Sequence, residues 1–378
     1  MESPLGGEIL ASGMKDGAHP FAFHVSGPRN VPSPNWRDII SSSWRDENYK
    51  RTVIACFIQA VYLLELDRQE KRTEENALAP NWWLPFKYKL VQTLIDERDQ
   101  SIFGAVLEWD QAAARANMIP FRLSGAPKAV LVMRGTLLKS PTMRRDIEDD
   151  LRFFAWESLR GSVRFKVALE ALRTAAESYG SCNVCIAGHS LGAGFALQVG
   201  KALAKEGLFV EAHLFNPPSV SIAMSLKDIG ENAKSAWKKI KSMLPMNMEA
   251  ENASFEEPSK ASPAAGFRSW VPYLKNPVEN QKWIPNLYVN DSDYICCSYT
   301  NPEGCEPDGD ERKVAARGGV PAKLFVTKGK QKFLEAHGLE QWWSDDVQLQ
   351  LAVQSSRVIS RQLKSLYNLP PSSIMGKP

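Results

Sequence analysis

The sequence lacks an apolar run long enough to cross a bilayer. Its longest, Val53 to Leu66, is interrupted by Gln59 and Glu65, whereas a helical span needs ~20 apolar residues. The stretch from Met1 to Gly17 carries Glu2, Glu8 and Asp16 and has no signal-peptide apolar segment. The closing Met375-Gly-Lys-Pro378 is no retention, peroxisomal or prenylation tail. A soluble cytoplasmic protein is expected. Charge of one sign is also missing: 46 Lys and Arg face 43 Asp and Glu, a net charge of +3. Bulk charge therefore names no nucleic-acid partner.

Cysteine is scarce, at 6 in 378 residues, which excludes a disulfide scaffold. Cys182 and Cys185 form a C-x-x-C, but they lie in the apolar run Cys182-Asn-Val-Cys-Ile-Ala187. Residues three apart on a strand point to opposite faces. With Cys296, Cys297 and Cys305 offering no second such pair, the cysteines are expected in the core, with no metal and no cofactor.

What is present is ordinary globular composition, 44% hydrophobic, over a length that suits one large or two medium domains. Residues 1–45 are rich in Pro, Gly and Ser and are expected to wrap the surface. The apolar spacing of Val53, Phe57, Val61 and Leu64 predicts a helix over 47–70. A further helix is expected near Tyr88 to Glu97.

From residue 100 onward short apolar runs alternate with helical patterns. Strands are expected at Ile102 to Trp109, Ala129 to Met133, Cys182 to Ala187, Phe209 to Phe215, Asn286 to Val289 and, last, Lys323 to Val326. Helices are expected at 143–156, 162–178, 191–205 and, closing the chain, about 345–367. Such alternation predicts a mostly parallel sheet with helices on both faces. An insertion over 217–284, with a low-complexity segment from Met246 to Gly266, precedes the strand at Asn286. The division expected is an N-terminal extension over 1–99 and a catalytic-type α/β domain over 100–378.

Gly188-His-Ser-Leu-Gly192 matches G-x-S-x-G, the nucleophile elbow, and sits between a predicted strand and a predicted helix. The turn from strand to helix is so tight that side chains at 188 and 192 would clash. Ser190 would then stand at the C-terminal edge of the sheet, where α/β folds place ligands, with a helix N-terminus behind it.

A serine hydroxyl needs a base, and the chain has five histidines, at 19, 24, 189, 213 and 337. The order nucleophile, acid, histidine leaves His213 and His337. His213 lies inside a predicted strand and reads as a satisfied core residue. His337, in Glu335-Ala-His-Gly338, follows the last predicted strand in a loop and is the expected base. As a loop residue it would carry little packing, so His337→Ala should leave folding intact. The acid is Asp291 or Asp293, and the residues alone do not choose. Two N–H donors for an oxyanion are expected from Leu191, after the nucleophile, and from Thr136, where Val130-Leu-Val-Met-Arg-Gly-Thr136 ends a strand.

The combination of Arg134-Gly-Thr136, Gly188-His-Ser-Leu-Gly192, Asp293 and His337 resembles the class 3 lipases, the fungal triacylglycerol-lipase-like α/β-hydrolases. It covers roughly residues 100–345. His24-Val-Ser-Gly-Pro28 and Trp82-Trp-Leu-Pro85 look like the plant branch labelled esterase/lipase, although no Gly-Asp-Ser-Leu occurs here. The resemblance implies an α/β-hydrolase fold and a triad of Ser190, Asp293 and His337. Asp293 is favoured because Asp293-x-Ile295 aligns with the family's D-x-V. Ala193 replaces the family's second glycine, and Cys296 stands where the family has proline.

The activity implied is cofactor-independent hydrolysis of a hydrophobic ester, an acylglycerol, a membrane lipid or a smaller aromatic ester. Alternatives are a catalytically silent lipase-like binding or signalling protein and an acyltransferase. Leu226, Ile229, Ala233, Trp237, Ile240 and Leu244 recur at helical spacing among lysines. That basic amphipathic pattern suits a lid or transient membrane-surface contact, or simply a helix packed on the core. A second candidate cover is Phe153 to Arg160.

Overall fold

The computed structural model describes residues 19–73, 75–136, 162–218, 283–293, 295–296, 299–300, 322–327, 332–344 and 349–354, together with Ile359 and Leu363. Among them, eight strands form one sheet in chain order: β1 (Tyr88–Ile95), β2 (Ile102–Trp109), β3 (Ala129–Met133), β4 (Val184–His189), β5 (Glu211–Phe215), β6 (Asn286–Asn290), β7 (Ala322–Thr327) and β8 (Leu349–Gln354). β3 through β7 run parallel, while β1, β2 and β8 are antiparallel to their neighbours. The helices that matter here are α1 (Glu47–Glu70), α2 (Val163–Tyr179), α3 (Leu191–Lys205) and the short α4 (Phe333–His337). This is the α/β-hydrolase architecture.

The parallel strands are mostly apolar and buried because both faces are covered. Val130 and Val132 of β3 point to one side, into a cluster with Phe57 and Val61 of α1. Leu131 and Met133 point to the other, against Leu172 of α2 and Val199 of α3. Two more rings meet Phe57 of α1, that of Phe86 at 6.1 Å and that of Tyr88, which opens β1, at 4.7 Å. The segment before α1 therefore does more than wrap the surface, for Trp44 is wholly buried in the same cluster.

One expected helix is a strand, and another, expected over about 345–367, opens with a strand while Ile359 and Leu363 are helical. Most of the helix expected near Tyr88 to Glu97 is β1, which pairs with β2 through register shifts near Val91 and Ile95. The closing segment opens with β8, whose Leu349-Gln-Leu-Ala-Val-Gln354 alternates with period two and pairs with β7, so β7 is not the last strand. Both are edge additions, where a waiting hydrogen-bond ladder overrides weak local preference. β4 begins at Val184 rather than Cys182. Cys182 sits in the turn before it and is exposed, unlike the core position expected, whereas Cys185 is buried.

The chain divides into two compact units, Met1–Met224 with Trp283–Pro378, and Ser225–Lys282. The second, the helix expected at 143–156 and both candidate lids lie outside the described residues.

Buried Glu65 of α1 accepts hydrogen bonds from Arg68, Gln69 and the Ile102 N–H. Burial alone would raise its carboxyl, but the Arg68, Ile102 and Gln69 donors outweigh it and bring the pKa from 4.5 to about 2. A carboxyl depressed on folding contributes stability above its unfolded pKa and loses it as pH falls through the folded value. The thermal midpoint is therefore expected to drop between pH 4.5 and about 2, and Glu65→Gln to flatten that slope. Calorimetric scans across this range check it; equal slopes would refute it.

Candidate active site

β4 delivers Ser190 into a backbone conformation of φ 53° and ψ −125°, which a residue with a side chain adopts only under strain. The strain is held from both sides. The Ser190 N–H donates to the Phe215 carbonyl on β5 at 2.9 Å, and the Ser190 carbonyl accepts from Ala193 and Gly194 as α3 begins. A Cβ on Gly188 would lie 2.4 Å from the Gly192 carbonyl oxygen, and one on Gly192 would lie 2.5 Å from that of Met133. The elbow closes only because both are glycine. Leu191 is the first residue of α3, where backbone N–H groups lack intrahelical acceptors.

His337 is the last residue of α4. Its Nε2 lies 2.9 Å from Ser190 Oγ, and its Nδ1 lies 2.8 Å from Asp293 Oδ2. Ser190, His337 and Asp293 are 6%, 4% and 0% exposed. His337 thus sits at a buried helix terminus, not in the exposed loop expected from sequence. His337→Ala must therefore disturb packing as well as chemistry.

The turn from Asn290 to Asp293 separates the two candidate acids. Asp291 is exposed, and its side chain accepts from Ser292 Oγ at 3.3 Å. Asp293 is folded beneath the site. Burial pushes its carboxyl up, but hydrogen bonds from His337, from Asn216 Nδ2 at 2.7 Å and from the Ile295 N–H at 3.0 Å outweigh that and lower it. Cys296, where the family has proline, aims its thiol at Asp293 Oδ2 across 3.2 Å.

Sequence reasoning missed Asn216. It stands just past β5 with a left-handed φ of 46° and ties the acid to its surroundings. Its Nδ2 also donates to the Ala336 carbonyl, and its Oδ1 accepts from Trp342 Nε1 at 2.7 Å. An Asn at the C-terminal edge of a predicted strand was the available signal, since Asn tolerates that conformation better than most residues.

Arg134 and Gly135 follow β3 and pack on the elbow. A Cβ on Gly135 would lie 2.9 Å from Ser190 Cβ, so the loop that ends at Thr136 runs directly beside Ser190. Arg134 is buried; its Nε donates to the Ile102 carbonyl and its Nη1 to the Gly135 carbonyl, both at 2.7 Å. His213 lies apart from this group, between Tyr288 Oη at 2.9 Å and Glu211 at 3.1 Å, a satisfied strand residue. Among the described residues no three His, Cys, Asp or Glu side chains are placed to hold a metal ion.

No protein-family model matches the chain. A GDSL esterase/lipase of Arabidopsis thaliana is 30% identical over 351 residues, covering 86% of this chain and 95% of that protein. A lipase from Rhizopus microsporus var. chinensis aligns over 89% of this chain and 86% of its own, at 11% identity and a TM-score of 0.36. Lipase II from Rhizopus niveus covers 83% and 88%, at 13% identity and a TM-score of 0.37. These structural likenesses are weak, and the Arabidopsis sequence decides the family. With that relative matched over 95% of its length, the chain belongs to the esterase/lipase family of that plant protein.

Proposed function

We propose that this esterase/lipase-family protein hydrolyses hydrophobic carboxylic esters, lipid or small aromatic, through an acyl-serine intermediate. His337 Nε2 takes the Ser190 proton as Oγ bonds to the ester carbonyl carbon, and Asp293 stabilises the imidazolium. The tetrahedral oxyanion is held by the N–H groups of Leu191 and Thr136. As the intermediate collapses, the ester C–O bond breaks and His337 gives its proton to the departing alcohol. Water then adds to the acyl carbon, passing a proton to His337. Oγ leaves and takes that proton back, and the carboxylic acid departs.

The observation that carries this reading is the hydrogen-bonded run from Ser190 through His337 to Asp293 at a strained elbow. Strained backbone at a sheet edge is retained where function requires it. The esterase/lipase naming of the relative supports a hydrophobic ester as substrate.

The test is a panel of p-nitrophenyl esters from acetate to palmitate, with aromatic esters added, run on wild type and Ser190→Ala. Turnover that vanishes in the variant is expected, and the chain-length profile names the acyl class. Folded wild-type protein that turns over nothing, or a variant as active as wild type, would count against hydrolysis through Ser190.

A further inference from the structure

We infer that Tyr62, contributed by α1 from outside the motif-bearing segments, is a positioning residue that joins the oxyanion loop and the base through one hydrogen-bonded chain. The inference rests on the serine-hydrolase reading above. The Gly135 N–H donates to Tyr62 Oη at 2.7 Å, Tyr62 Oη lies 2.8 Å from His189 Nδ1, and His189 Nε2 lies 2.7 Å from the His337 carbonyl oxygen.

The direction of each bond follows from chemistry. A carbonyl oxygen only accepts, so His189 Nε2 carries a hydrogen and donates to it. Burial, with the neighbouring His337 adding to it, lowers the His189 pKa to about 3, so the ring is neutral and Nδ1 is bare. Nδ1 therefore accepts the Tyr62 O–H, while the Tyr62 oxygen accepts from Gly135. Burial raises the phenol's pKa, so it keeps its proton to donate. Each hydrogen bond of the run thus has one assigned donor and one assigned acceptor, which gives the run a single direction.

Both ends of the run bear on the proposed chemistry. At one end Tyr62 holds the peptide N–H of Gly135, and Arg134 Nη1 holds the Gly135 carbonyl at 2.7 Å. That carbonyl shares its planar peptide unit with the Thr136 N–H, the proposed oxyanion donor, so fixing one aims the other in the opposite direction. A Cβ on Gly135 would lie 2.8 Å from Tyr62 Oη; glycine there makes room for the hydroxyl. At the other end His189 fixes the carbonyl of His337 itself. Preorganised donors are worth most when they need no rearrangement as charge develops, and Tyr62 restrains two parts of the machinery at once.

The test uses the full chain. Active sites of wild type and Tyr62→Phe are titrated to completion with a fluorophosphonate, and p-nitrophenyl ester turnover is expressed per titrated site. The expected result is a kcat lower on the order of ten- to a hundredfold with KM unchanged. Affinity for a boronic acid that mimics the tetrahedral intermediate should weaken by the same factor as kcat. His189→Asn keeps an acceptor near Tyr62 but cannot reach the His337 carbonyl; it should show the same split, and it decides the matter if Tyr62→Phe does not fold. Wild-type kcat per titrated site overturns the inference, as does a loss confined to the titrated fraction or to KM, which is what packing alone would produce. Those results leave the serine-hydrolase reading standing provided Ser190→Ala is inactive. A wild type that takes no fluorophosphonate, or an active Ser190→Ala, removes both.

Discussion

His337→Ala is expected to lower kcat/KM by ~10⁴- to 10⁶-fold on any ester the wild type turns over. His337 Nε2 lies 2.9 Å from Ser190 Oγ and is placed to take its proton. Combining it with Ser190→Ala should cost nothing further, because nucleophile and base act as one unit. Stability should fall as well, by about 1–3 kcal/mol. The imidazole is 4% exposed, and removing it deprives the buried Asp293 carboxylate of the Nδ1 donor at 2.8 Å. Denaturant unfolding read beside steady-state kinetics separates the two losses. A variant with unchanged stability would mean that His337 is not packed as described, and one with unchanged turnover would remove it as the base.

Gly192→Ala is the second large effect, and it acts through the backbone. The added methyl would meet the Met133 oxygen at 2.5 Å and the Arg134 oxygen at 2.6 Å. These are main-chain atoms of the strand and loop beside the nucleophile, and no rotamer moves them away. The elbow must open or β3 must shift, at a cost of about 3 kcal/mol or more. Either movement also displaces the Gly135–Thr136 peptide from Ser190, so activity per folded molecule should fall along with the thermal midpoint. Gly207→Ala is a useful control: a methyl there has nothing within 4 Å, although its φ of 84° carries its own strain. A Gly192→Ala protein no less stable and no less active than wild type would contradict the close packing around the elbow.

The parts of the molecule legible in the sequence are those specified by neighbours along the chain. The helix at 47–70, the strand at Ala129 to Met133 and the passage from β4 through Ser190 to α3 rest on local apolar periodicity and on glycines two residues either side of the nucleophile. β1 and β8 were not legible, because a short edge strand is defined by the ladder it joins. The partner of β8 is β7, Leu349 lying opposite Thr327 across the intervening chain. Cys182 and Cys185 differ in burial for a related reason, since the turn at Ser181–Asn183 ends just before the strand that buries Cys185.

The sequence by itself determined the fold class, the position of Ser190 at an elbow and the short list of bases and acids, because each follows from spacing and residue type. Only the tertiary structure decided which carboxylate meets His337, that Asn216 and Cys296 attend that carboxylate, and that Tyr62 touches both Gly135 and His189. Asp291 and Asp293 are two residues apart, and the Asn290–Asp293 turn sends one into solvent and the other beneath the site. A hydrogen bond depends on a few ångströms and an angle. Residues separated by 73 and 127 positions, as Tyr62 is from Gly135 and His189, come within that range only once the sheet has stacked α1 against the strands that carry them.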